Sequence, residues 1–485
     1  MSEPGLAAKL AGRGAAVTAA GAALTAIVVI AQGLWLASSY PAAHLDADLL
    51  SYLASYRDWR VGEPAAFAYM VPKVLPVFLL GPLGTPERAF AVSLGVSAIG
   101  GALFFALANA TFGRVVAVLA AALYVLDPMR MVLTLRSSVD LYSGVALLGA
   151  MLALRRPAVL LAGFLVLVAA LGKPVAALCG IAVLFAPRVS WRRRLAAAAL
   201  PALAIPASAW LDAALERRPF LSPFALPDQH ERFVAVAQAS ARSWTGFLDL
   251  IVDDWLGRLL FAHTWPLVLT GIALYAFASL RGRLGEGDRR AWILLVPGLL
   301  AASYVGLAAV HPFVAFTRFF WLPSAVLALL AAYALVEIAR RLPGTGAVGA
   351  AVAVLLVAAL LLDRAADHRF RARLMLAPFE SHASLAGRAM DVIADERQCP
   401  GEAIVPLAYL PLAAWRAPDK IHRGALCAVE DWADGRGCED PECVLVMPAA
   451  PTTERARVAL ARFVAGAQPT EVVDEHGALY RPRHG

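Results

Sequence analysis

Long apolar runs separated by short basic stretches recur from Ala15 to Leu362, and they decide what this chain can become. A helix rising about 1.5 Å per residue needs about 20 apolar residues to cross about 30 Å of hydrocarbon. The first run, about Ala15 to Ala37, follows Lys9 and Arg13. It is too long for a signal-peptide core and is followed by no convincing cleavage site, so it reads as an uncleaved first span with the N-terminus inside. Further runs lie at about Arg88–Asn109, Val115–Leu126, Leu141–Leu154, Val159–Leu171, Val175–Ala186, Leu195–Leu211, Leu259–Leu280, Ala291–Val310, Phe320–Ile338 and Ala347–Leu362. Together they make about eleven spans, several of them short.

Composition excludes the alternatives. The chain is 60% hydrophobic and only 16% charged, where a soluble domain carries about 25% charged residues. A soluble globular protein, a disordered chain and a disulfide-stapled mini-domain are all ruled out. The net charge of +7 comes from 43 Lys and Arg against 36 Asp and Glu. The basic residues cluster between apolar runs, with no basic stripe interleaved with aromatics, so no nucleic-acid partner is expected. With eleven spans and the N-terminus inside, Arg114, Arg155–Arg156, Arg188 with Arg192–Arg194, Arg281–Arg290 and Arg340–Arg341 all fall on the cytoplasmic side, as the positive-inside rule requires.

The odd span count places the stretch from Asp363 to Gly485 outside. Cys399, Cys427, Cys438 and Cys443 all lie in it, which favours two disulfides of open connectivity in an oxidising compartment. Helical stretches near Ala383–Glu396 and Thr453–Val464 are expected there. Strand-like runs lie at Ala403–Pro406 and Cys443–Met447, and a hairpin turns at Glu475–Gly477. The expected fold class is therefore mainly α. Residues 1–362 form a polytopic membrane domain with outer loops at 38–87, 127–140 and 212–258, and residues 363–485 form a small α/β extracytoplasmic domain.

Candidate chemistry gathers on the outer face. From Asp48, Leu49, Tyr52, Leu53, Tyr56 and Trp59 recur at helical spacing, with Ser51, Ser55 and Asp58 opposite. This pattern predicts a helix in the membrane interface with its apolar face in lipid. Asp46 and Asp48 at its start are suited to activating a hydroxyl, helping to hold a divalent cation, or capping the helix. Lys73 lies in a Pro-rich apolar run too short to span. Asp127–Asp140 packs Arg130, Arg136 and two acids between short spans, Lys173 marks a charged tip, and Arg318 precedes Phe319–Pro323. Ionisable groups at membrane depth are costly and point to function. Lys73, Arg136, Lys173 and Arg318 on one face suit a phosphate carried on a membrane lipid.

In its order of features the chain resembles the GT-C superfamily of membrane glycosyltransferases. The likeness is greatest to the polyprenyl-phosphate-sugar-dependent branch, which includes protein O-mannosyltransferases and the lipid A aminoarabinose transferase. The matching motifs are Asp48…Tyr52, Lys73-Val-Leu-Pro76 through Phe112-Gly113-Arg114, Asp127-Pro128…Arg136-Ser-Ser-Val-Asp140, and Arg318-Phe-Phe-Trp-Leu-Pro323. Leu49 stands where the family often has Glu, and Val71-Pro72-Lys73 where it has His-Pro-Pro, which leaves metal and acceptor class open. The resemblance implies a multi-pass membrane enzyme that moves a sugar from a polyprenyl-phosphate donor to a hydroxyl on a protein, lipid or glycan acceptor, with inversion, and the export topology with no obvious organelle signal points to the plasma membrane. It implies Asp48 as base with Asp46 as rival, and Asp140 as a second acid lining the cavity. Arg136, Lys173 and Arg318 would hold the phosphate, with Lys73 as a fourth contact. No cofactor beyond that cation is implied. The rival classes are a lipid or small-molecule transporter or flippase, which tends to show internal repeats not seen here, and a non-catalytic membrane scaffold.

Overall fold

The apolar runs form helices whose ends are set by local chemistry. The computed structural model describes residues 4–41, 44–62, 74–155, 158–186, 189–216, 265–280, 292–310, 321–341, 358, 361–362, 376, 383–447 and 454–483. In chain order the first helices are α1 (Pro4–Ser39), α2 (Ala47–Val61), α3 (Val74–Leu80), α4 (Pro86–Phe112), α5 (Arg114–Val125) and α6 (Pro128–Leu135). They are followed by α7 (Val139–Leu154), α8 (Val159–Gly172), α9 (Ile181–Leu184), α10 (Trp191–Ala199) and α11 (Ala204–Glu216). Further helices cover Trp265–Leu280, Trp292–Val310 and Trp321–Arg341.

Four stretches, Ala15–Ser39, Pro86–Phe112, Trp191–Leu215 and Trp321–Arg340, are long and apolar enough to cross a membrane, and α5 with α6 makes a fifth if that bent pair is one span. Val139–Leu154 and Val159–Gly172 are shorter apolar helices, so the described helices establish fewer spans than the eleven expected. The Ala347–Leu362 run falls almost wholly outside the described residues. Two expectations are corrected. Val175–Ala186 is not one α-helix: Pro174 starts a 3-10 stretch to Gly180, and only four residues of α-helix follow. Asp127–Asp140 is not an open loop, because Asp127 caps α6 and Pro128 takes its first position. All eight residues of α6 are buried, and the axis turns by 53° from α5.

By internal contacts the chain forms two compact units: Met1–Leu36 with Ala91–Ala204 and Ser243–Arg373, and Ala37–Phe90 with Ile205–Arg242 and Leu374–Gly485. The first unit is helical, around a core that includes Phe104, Leu107, Tyr124, Leu147, Met151, Val166 and Leu329. Small residues bring its helices close. A Cβ on Gly163 of α8 would stand 2.2 Å from the Ala197 carbonyl oxygen of α10, so only glycine fits this approach. Arg130 is 1% exposed, yet four of its five N–H groups find acceptors. It donates to the Tyr124 and Val125 carbonyls, to Ser97 Oγ and to Gln32 Oε1. This arginine fastens α6 to its neighbours.

The second unit contains a five-stranded sheet in the order β2-β1-β3-β5-β4. The strands are β1 (Glu402–Val405), β2 (Leu426–Ala428), β3 (Pro441–Val446), β4 (Ala467–Asp474) and β5 (Gly477–Pro482). β1 runs parallel to β2 and β3, while β5 is antiparallel to β3 and β4. Side chains alternate across the sheet. Ala403, Val405, Cys443 and Leu445 join the cluster containing Leu385, Ala389 and Ile393 from the helix over residues 383–394. Ile404 and Val444 pack on the other face with Ala456 and Leu460 of the helix Glu454–Ala465. Helices thus cover both faces of the small α/β domain. Cys399 bonds to Cys443 and Cys427 to Cys438. Lys420, 2% exposed, donates to the carbonyls of Cys399 and Gly401. Glu430 is 7% exposed. Burial pushes its pKa up to about 7, helped by Asp431 and Asp434 nearby.

Helix α2 corrects another expectation. Its apolar face is not in lipid: Tyr52, Tyr56 and Trp59 pack with Val77, Phe78, Leu211 and Leu215. Leu50 and Ala54, one turn apart, form a second apolar stripe inside the cluster of the α/β domain. Arg57 Nη2 donates to the Ala414 carbonyl at 3.0 Å. The C-terminal stretch, expected as a domain of its own from residue 363, shares its core with this N-terminal helix.

Candidate active site

The turn between α6 and α7 is built by a helix stop and a helix start with almost nothing between. The Ser138 amide donates to the Leu133 carbonyl at 2.9 Å, and the Ser137 amide to the Thr134 carbonyl at 3.2 Å. This is the pair of bonds of a Schellman motif, whose left-handed position usually holds glycine. Here it holds Ser137, with φ 49°, the sole positive-φ residue besides glycine among the described residues. Arg136 is the half-buried C-cap of α6. Ser138 caps α7: its Oγ accepts from the Asp140 amide and donates to Asp140 Oδ2 at 3.1 Å. The cap fixes the Asp140 carboxylate in the first turn.

Lys173 meets that carboxylate from the end of α8. Pro174 keeps the preceding residue out of helical geometry, and Lys173 is extended at φ −140°, ψ 98°. Its Nζ lies 2.9 Å from Asp140 Oδ1, with both side chains less than a tenth exposed. Removing one partner of such a buried pair leaves an uncompensated charge, at a cost of about 3–5 kcal/mol. A narrow cleft beside the pair is lined by Asp140, Gly144, Lys173, Leu300, Tyr304 and Trp321, among others. The Trp321 ring lies against α7 because Gly144 has no side chain: a Cβ there would be 2.1 Å from Cζ3 of the indole. In this unit the buried side-chain polar atoms without a hydrogen-bond partner, among the described residues, are Trp321 Nε1 and Ser137 Oγ.

The second locus belongs to the other unit, at the start of α2. Asp46 is the N-cap and its Oδ1 accepts the Asp48 amide at 3.0 Å. Asp48 follows in the first turn, and the two are 1% and 6% exposed. The capping role considered for both therefore falls to Asp46, while the Asp48 carboxylate occupies the first turn as a buried acid. Further along, Asp58 is 1% exposed, with Arg57 at 2.8 Å and His422 Nε2 at 3.7 Å.

Lys73 and Arg318 lie outside the described residues, as does 217–258 of the loop 212–258. Cys399, Cys427, Cys438 and Cys443 form the two disulfides of the α/β domain. Among the described residues no group of three His, Cys, Asp or Glu side chains converges as a metal ion would need. Sequence reading singled out Asp140 and Lys173 without pairing them, and it missed Ser138, Gly144 and Trp321. Ser138 had a visible signal, a serine directly before an apolar run with Asp two residues on. Gly144 had none, since its role comes from a ring far away in the chain.

No family model and no curated protein matches the chain. Solved structures similar to it include ArnT from Cupriavidus metallidurans bound to undecaprenyl phosphate, at 14% identity and TM-score 0.49. The apo form of the same protein matches at 15% identity and TM-score 0.42. Each match covers 93% of this chain and 97% of the other. At these scores and identities the likeness assigns no residue a role.

Proposed function

We propose that the chain is an integral-membrane glycosyltransferase that moves a sugar from a polyprenyl-phosphate donor to an acceptor hydroxyl on the extracytoplasmic face, with inversion. The observation that carries this reading is the buried Asp140–Lys173 pair in a mainly apolar helical unit. Ionisable groups held at that cost mark a site where charge is handled. The motif order set out above supplies the reaction class. The same reading keeps about eleven spans, the N-terminus in the cytoplasm, and the disulfide-bonded domain outside, where thiols oxidise.

In this mechanism Asp48 takes the proton from the acceptor hydroxyl as its oxygen attacks the anomeric carbon. The bond from that carbon to the phosphate oxygen breaks, and the lipid phosphate leaves from the opposite face with the electron pair. Lys173, Arg136 and Arg318, with Lys73 as a fourth contact, stabilise the charge that develops on the leaving phosphate. Asp140 orients Lys173. The α/β domain and the loop 212–258 select acceptor and donor.

The test uses protein in lipid nanodiscs with a panel of polyprenyl-phosphate sugars and envelope extracts as acceptor. Sugar-dependent release of polyprenyl phosphate that Asp48→Asn abolishes is expected. Release that survives this change moves the base to Asp46 or Asp140, and chelation with EDTA reports any metal requirement. No release from any donor with acceptors present overturns the reading and brings forward a transporter or scaffold.

A further inference from the structure

From Leu141 to Leu211 the chain carries seven basic residues and no acidic one. Lys173 takes Asp140 as its counter-charge, and the segment offers none to its six arginines. Three of these are consecutive at the start of α10, and their fates differ. Arg194 is spent inside the protein. Its Nε donates to the Val189 carbonyl at 2.9 Å and its Nη1 to the Leu184 carbonyl at 3.2 Å, which satisfies an acceptor at the end of α9. Arg192 and Arg193 are exposed, and neither guanidinium makes an ion pair or hydrogen bond among the described residues.

The surface beside these two charges is apolar. Trp191 is 58% exposed, and Leu195, one turn on along the same face, is 45% exposed. Ala197 faces Gly163 of α8, and within a turn of that contact α8 presents exposed Leu160, Leu161 and Phe164. α10 also opens the stretch Trp191–Leu215, which is long and apolar enough to cross a membrane. Side chains on a helix lean toward its N-terminus, so both arginines reach beyond the apolar surface. Trp191 stands between the two, as tryptophan does at the edge of a bilayer.

A partner that fits this surface carries anionic oxygens directly next to hydrocarbon. A free anion lacks the hydrocarbon, and a zwitterionic lipid answers its own phosphate with its own ammonium. We propose that the start of α10 is a docking site for an anionic glycerophospholipid. Its phosphate sits on Arg192 and Arg193, its glycerol beside Trp191, and its acyl chains along Leu195 and the exposed residues of α8. The proposal needs only the membrane setting and does not rest on the donor reading above.

The experiment titrates the full chain in a neutral detergent with dioleoyl phosphatidylglycerol or dioleoyl phosphatidylcholine, and native mass spectrometry counts the bound lipid. The two share their tails and differ in net charge. Wild type is expected to hold a phosphatidylglycerol more tightly than phosphatidylcholine. A basic side chain at an anionic surface is worth about fivefold in affinity. Arg192→Gln and Arg193→Gln should therefore each weaken phosphatidylglycerol binding about fivefold, and together about thirtyfold. Phosphatidylcholine binding should not change, which also reports that the variants are folded. Trp191→Ala should weaken both lipids alike, because it removes apolar contact and no charge. Arg340→Gln removes a charge that Glu337 already meets at 2.8 Å, and should alter neither. Equal binding of the two lipids by wild type, or a phosphatidylglycerol preference that survives the double change, overturns the proposal. Tighter binding of undecaprenyl phosphate than of phosphatidylglycerol, lost in the double variant, gives the site to a polyprenyl phosphate and overturns it too.

Discussion

Replacing Lys173 by Met should open the helical unit far more often than the loss of a surface lysine would. Asp140 would keep Ser138 as a partner but lose the ammonium at 2.9 Å while still buried. Breaking a buried pair in this way costs about 3–5 kcal/mol. The protein carries its own reporter. Cys179 is 0% exposed, lies in the 3-10 stretch that follows Lys173, and is the one cysteine outside the disulfides. Its labelling by a small thiol reagent, under conditions where opening is rate-determining through its equilibrium, reads the opening free energy directly. At 1.4 kcal/mol per tenfold, Lys173→Met should be labelled about a hundredfold to a few thousandfold faster than wild type. Asp140→Asn should also accelerate labelling, since it leaves a buried ammonium without its counter-charge. The double variant should lie closer to wild type than the sum of the two, with a coupling of about 2–3 kcal/mol that changes little with salt. Additive single effects, or a coupling that disappears at high ionic strength, would refute a buried pair.

Other outcomes follow from the same physics. Glu430 has its pKa raised to about 7 in the folded domain, against about 4.3 in an unfolded chain. The proton it holds therefore stabilises the fold fully below the unfolded value, and this contribution is lost as pH rises through 7. Glu430→Gln should be more stable than wild type at pH 8 by about 1–3 kcal/mol, allowing for partial solvent screening, with the gap closing towards pH 4. Hydrogen exchange of the β1 and β3 peptides measures it, and parallel pH curves would sink the idea. Arg130→Lys cannot serve the four acceptors of the guanidinium. It should cost about 2 kcal/mol or more, seen as about thirtyfold faster Cys179 labelling. Replacing Cys427 and Cys438 by Ser should destabilise the α/β domain by up to about 3 kcal/mol, read in the same exchange experiment. Equal protection with and without the disulfide would contradict that.

The sequence was most legible where local chemistry decides the structure. The hairpin turning at Glu475–Gly477 is present, with Asp474 opposite Gly477. The runs at Ala403–Pro406 and Cys443–Met447 are the neighbouring parallel strands β1 and β3. Apolar run length located α4 and α7, because a buried helix needs little beyond continuous apolar residues. Legibility failed where two distant segments decide together. Asp140 and Lys173 are each visible as charges among apolar residues, but their pairing depends on how α7 and α8 pack. The second apolar stripe of α2, Leu50 and Ala54, is visible at helical spacing. It passed as part of a lipid-facing helix because its partner is a core built from the other end of the chain. The role of Arg130, read from sequence only as one of several charges between short spans, escaped for the same reason: its acceptors come from three helices.

The placement of α2 in the core of the α/β domain has a consequence for how the protein is made. Arg57 and the Ala414 carbonyl it meets are separated by 357 positions. At about 5–20 residues per second, a ribosome needs about 20–70 s to supply the second half of that contact. Through that interval Leu50 and Ala54 have no permanent companion, and the disulfide-bonded domain cannot close its core until this early-made helix is reclaimed. A truncated product carrying only residues 363–485 should therefore emerge with an apolar gap and attract chaperones. Biogenesis of this protein thus depends on an early segment being kept available until the last one arrives.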